Sequence, residues 1–130
     1  MAEELIQSLA HQVVEQFKPT LQYSEDGDFI TYFFRDVECF GERVDKLLTV
    51  YMSLDGKDLV GCKVKGVARI LGELGSFGVH LNDANAKLSL LFLGGIAVAS
   101  PGATDMAYYR KLAEWTREVS LGEELIRCAA

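Results

Sequence analysis

The chain has 130 residues, 49% hydrophobic and 25% charged, with 2 prolines and a formal net charge of −6 at pH 7. That length supports one domain with its own core and no metal or disulfide staple, and the composition excludes a disordered chain. The negative charge disfavours nucleic acid as a partner, because affinity for a phosphate backbone comes mostly from Lys and Arg displacing counterions.

The first element is predicted as a helix over residues 3–18. Leu5, Leu9, Val13 and Phe17 recur every four residues beside Ile6 and Val14, and Pro19 forbids continuation. The opening MAEELIQSLAHQ is acidic first and amphipathic afterwards, so it reads as no export signal.

From Leu21 the period changes to two. Strands are predicted over Phe29–Phe34, Leu47–Leu54 and Leu59–Val67, with Asp26-Gly27 and Asp55-Gly56 turning the chain through positive φ. Loop parity between the last two strands decides which side chains share a face. An even loop would set Val50 and Met52 opposite Gly61 or Lys63. An odd loop, Leu54-Asp55-Gly56, pairs Leu48 with Cys62 and Val50 with Val60, burying Leu48, Val50, Met52, Val60, Cys62 and Val64 together. Thr49, Tyr51, Ser53, Lys63 and Lys65 then face water.

A short helix over Val67–Leu74 should end at Gly75, with Phe77–Leu81 as a further strand and Asn82-Asp83 as a turn or cap. The apolar run Leu88–Ala99 fits a buried strand or a buried helix; the Ala-containing approach and Asp83 favour the helix. At 12 residues it is short of the roughly 20 that span a bilayer. After the break at Ser100-Pro101-Gly102, Tyr108, Leu112, Trp115 and Val119 form the stripe of an amphipathic helix with Arg110 and Glu114 paired on its surface. A last helix within Leu121–Ala130 begins at Ser120 with Glu123 closing a capping box.

Tyr23, Glu25, Asp28-Phe29-Ile30-Thr31-Tyr32, Leu48-Thr49-Val50-Tyr51, Asp55-Gly56 and Leu59-Val60-Gly61-Cys62-Lys63-Val64 together resemble a group of small bacterial β-sheet domains of unknown function. The likeness covers residues 21–66. It implies a sheet fold and carries no activity with it.

Among candidate sites, Lys63, Lys65, Gly66 and Arg69 at a strand-to-helix junction pose a choice between a phosphate cradle and the wet side of a sheet. The lack of a Gly-rich loop favours the sheet, with Tyr51 as the neighbour to inspect. His80 with Asp83 is the one compact His–carboxylate pair, and without a Cys-x-x-Cys it reads as turn chemistry rather than a metal site. Ser24–Asp28 has the look of a calcium loop but no closing Glu, and reads as a hairpin turn. Cys39, Cys62 and Cys128 are isolated and odd in number, which fits free thiols in a reducing, cytoplasmic setting, and none has a base placed to activate it. Phe29, Tyr32, Phe33, Phe34 and Phe40 are apolar on both strand faces, so the second face needs a cover: a helix, another subunit or a ligand.

The sequence thus predicts a single α+β domain, an antiparallel β-meander over 20–81 packed by an N-terminal helix and a helical C-terminal part over 84–130. The function expected is a non-enzymatic interaction or scaffold role with self-association, without cofactor, metal, nucleic acid or membrane. The competing expectation is a small-molecule binder or small enzyme using Tyr32, Tyr51, Lys63, Lys65, Arg69 or His80.

Overall fold

The computed structural model describes residues 17–76 and 86–129, so the helix expected over 3–18, the strand at Phe77–Leu81 and the His80–Asp83 pair fall wholly or largely outside the described residues. Five strands, β1 (Leu21–Ser24), β2 (Phe29–Phe33), β3 (Cys39–Arg43), β4 (Leu48–Ser53) and β5 (Leu59–Lys65), form one antiparallel sheet. Four helices follow, α1 (Val67–Ser76), α2 (Ser89–Ala99), α3 (Ala103–Trp115) and α4 (Glu123–Ala129). The α+β architecture is as expected, and the run 88–99 is resolved as helix.

The strand order β1-β2-β5-β4-β3 departs from a continuous meander at one step. β3, β4 and β5 are consecutive neighbours, but the β1–β2 hairpin docks on the far side of β5, which therefore sits centrally. Alternation along the strands puts Ile30, Tyr32, Leu48, Val50, Cys62 and Val64 in the core, all buried.

The register of β4 on β5 differs from the expected one. Leu48 pairs with Val64 and Val50 with Cys62, two residues along from the predicted partners, so the same parity survives and the same face is buried. An odd loop is not what delivers it. The Ser53 amide donates to the Asp58 carbonyl at 2.9 Å, leaving a four-residue loop, 54–57, and an irregularity at Tyr51/Met52 lets Met52 pair with Leu59 while Val60 is the extra residue. Even loop plus one bulge residue gives the odd sum that burial demands. Gly56 turns at φ 74 as expected, whereas Asp28, at φ 50, takes the left-handed position assigned to Gly27.

Helices cover one face of the sheet. α2 lies between α1 and α3, with α4 against the other side of α1. Glycines set the spacing: a Cβ on Gly94 would meet Ile70 Cγ2 at 2.8 Å, and one on Gly95 would meet Tyr109 Cε1 at 3.0 Å. The apolar stripe of α3 is rotated from the predicted one. Tyr109, Leu112 and Ala113 are buried, Trp115 remains 46% exposed, Val119 lies beyond the helix, and Arg110 and Glu114 form no ion pair. Ser120 does not cap α4; it bridges Lys87, and Gly122, at φ 87, leads into the helix.

Candidate functional site

The strand-to-helix junction after β5 has the geometry of an anion site, and a side chain of the protein already fills it. Gly66 turns the chain at φ 72, and the Gly66 amide donates to the Asp28 carbonyl at 2.9 Å. The Ala68 amide donates to the two Asp28 carboxylate oxygens at 3.1 and 3.2 Å. A carboxylate from the β1–β2 turn thus occupies the place at the start of α1 where a phosphate would sit. The Tyr23 hydroxyl donates to the same carboxylate at 2.9 Å; burial, then this bond, pushes the Tyr23 pKa up to about 12.

The residues singled out in the sequence are dispersed. Lys63 lies on the open face of the sheet, its ammonium 4.2 Å from the centre of the Phe29 ring, and Lys65 is exposed beyond it. Tyr51 shares that face, its ring 4.9 Å from Phe33 across the strand, with its hydroxyl pKa raised first by burial. Tyr32 points the other way, into the core, where burial also raises its pKa. Arg69 is on α1, lining a hollow of about 400 Å³ with Asp45, Lys46, Leu47, Val98 and Ala99.

The open face covers its own aromatics. A Cβ on Gly61 would meet the Phe33 ring at 2.5 Å, one on Gly27 the Phe29 ring at 2.6 Å, and one on Gly41 the Tyr51 ring at 3.3 Å. Each ring lies over bare glycine backbone, so it loses water contact on one side. On the helical face, Tyr32, Phe34 and Trp115 meet edge to face in sequence, each pair with centroids 5.3 Å apart.

Among the described residues, both edges of the sheet stay open. At the β3 edge, Phe40 pairs with Met52 and is 44% exposed; Val37, in the segment before β3, and Leu54, in the loop after β4, are 39% and 64% exposed. At the opposite edge a groove of about 430 Å³ runs between β1 and α4, lined by Leu21, Tyr23, Glu25, Leu121, Leu125 and Cys128, among others.

Asp45 and Tyr109 are the polar pair that sequence reasoning missed. Asp45 Oδ1 accepts from the Leu47 and Leu48 amides at 2.8 and 2.9 Å, and Oδ2 accepts from the Tyr109 hydroxyl at 2.6 Å. Burial and that bond hold the Tyr109 proton far above its ordinary pKa. These three bonds tie the β3–β4 turn to α3. Cys62 is buried and its thiol is pushed up to about 12 by burial, which removes it as a nucleophile. Among the described residues no group of His, Cys, Asp and Glu is placed to hold a metal ion, and no helix is long and apolar enough to cross a membrane.

Comparison with protein-family models, with curated proteins and with solved structures finds no match.

Proposed function

We propose that the chain is a non-enzymatic protein-interaction or scaffold domain that associates with a second copy of itself through the β3 side of the sheet. The observation that carries this reading is Phe40, which pairs with Met52 on the helical side of the sheet and, among the described residues, is 44% exposed on a strand whose outer edge has no backbone partner. Unpaired edges and exposed apolar residues are what native proteins usually hide, and Val37 and Leu54, on the segments that flank β3 and β4, are exposed as well. β3 carries one acid and one base, Glu42 and Arg43, so two copies laid antiparallel bring no net charge against each other. Free Cys39, Cys62 and Cys128 support a reducing, cytoplasmic setting.

Light scattering coupled to size exclusion, at about 100 μM protein, should return twice the chain mass of 14.4 kDa. Phe40→Glu should return the single mass with an unchanged melting temperature. A single-chain mass for the unmodified protein overturns the proposal.

A second reading has one observation in its favour: the hollow is lined by two cations, Lys46 and Arg69, against the one acid Asp45, with Leu47, Val98 and Ala99 as apolar wall, which suits a small anionic molecule with an apolar body. A thermal-shift screen of small carboxylates and phosphates tests it; stabilisation lost in Arg69→Ala would support that reading.

A further inference from the structure

We propose that the groove between the outer edge of β1 and helix α4 takes a short extended peptide segment bearing alternate basic residues, added to the sheet as a sixth strand. Among the described residues β1 is the terminal strand, and the amides and carbonyls of Leu21–Ser24 on the side away from β2 have no strand partner. A free strand edge beside a helix is the arrangement in which main-chain hydrogen bonds supply affinity and alternate side chains read pockets.

The groove suits the side chains of such a strand. Leu21 and Tyr23, the two β1 residues on the helical side, are only half-buried, and they face Leu121, Leu125 and Cys128 across about 430 Å³. That volume falls within the roughly 300–1,000 Å³ of specific ligand sites. Every second residue of an added strand would point here; the intervening ones would continue the open face beside Gln22 and Ser24.

Charge selects the occupant. Glu25 and Glu124 both line the groove and both are exposed, and among the described residues no Lys or Arg lines it. Residues 1–16 of the same chain carry Glu3, Glu4 and Glu15 and no Lys or Arg, so they are like-charged with the rim. A cationic segment from another protein is therefore favoured over this chain's own start. The inference does not rest on self-association through β3, which lies at the opposite edge.

The probe is a fluorescein-labelled hexapeptide alternating Val and Lys, blocked at the free end, titrated with the full chain and read by anisotropy. Expected is a Kd of about 10–100 μM, at least tenfold weaker binding of the Val–Glu analogue, and about fivefold weakening in Glu25→Gln/Glu124→Gln, whose exposed positions keep the melting temperature unchanged. Alkylation of Cys128 by iodoacetamide, followed by mass spectrometry in a Cys39→Ser background, should slow as the peptide saturates. No binding at about 1 mM, equal binding of the acidic peptide, or an unchanged Cys128 rate at saturation overturns the proposal. So does a large gain in affinity on deleting residues 1–16, which would make this chain's own segment the occupant.

Discussion

The carboxylate of Asp28 holds the Ala68 amide and the Tyr23 hydroxyl at once, joining the β1–β2 turn to the start of a helix 40 residues away in sequence. A lost N-terminal cap costs about 0.5–2 kcal/mol, and here the capping charge also meets the positive end of the helix. Asp28→Ala should therefore lower the urea-derived unfolding free energy by about 1–2 kcal/mol, with Asp28→Asn retaining part of it, since Asn keeps an acceptor and tolerates the left-handed backbone. Tyr23 gives this latch a pH dependence. Its pKa rises on folding from 10.0 to about 12, so the folded state keeps a proton that the unfolded chain releases. The contribution is whole below pH 10 and is lost as pH climbs towards 12. A stability profile measured across that window should fall more steeply for the unmodified protein than for Tyr23→Phe.

Single helices and strands show where glycine is structural and where it is expendable. Gly72 sits on the exposed side of α1, where an added Cβ meets nothing within 4 Å. Gly72→Ala should raise stability by about 0.5–1 kcal/mol through helix propensity alone. Gly94→Ala gains the same propensity but drives a methyl to 2.8 Å from Ile70 and 3.1 Å from Leu74, where close-packed side chains have little room to retreat. Overpacking of that kind costs about 1–3 kcal/mol, so Gly94→Ala should lower the melting temperature while Gly72→Ala raises it. The elements legible in the sequence are those whose own pattern matches their burial. β2 alternates over all five of its residues, β4 from Leu48 to Tyr51 and β5 from Cys62 to Lys65, and α1 follows its apolar spacing. β1 and β3 escaped because an edge strand needs only one partner: Cys39–Arg43 contains a glycine and two charges, and it is held by β4 rather than by its own preferences. The α3 stripe was misphased because Trp115 outweighs Tyr109 in bulk, whereas what draws Tyr109 inward is a hydrogen bond to Asp45, 64 residues away. Asp28 and Asp45 were illegible for the same reason, since their partners become neighbours only once the sheet is assembled.

At the scale of the whole molecule, the two open places lie at opposite ends of one sheet, so occupation of one leaves the other accessible. Phe40→Glu is accordingly expected to abolish self-association while leaving the Kd for the basic peptide within about twofold of its original value; a parallel loss of both would show that the two edges are not independent. The central place of β5 bears also on how the chain reaches this state. As residues emerge in order from a ribosome, the β1–β2 hairpin is complete some 30 residues before the strand it must join, and β3 and β4 come out with nowhere to pass it. Assembly therefore waits on residue 65. Once β5 has zipped onto β4, the helix that follows arrives with its first amides facing Asp28, and closure of the long loop and capping of the helix become a single late event.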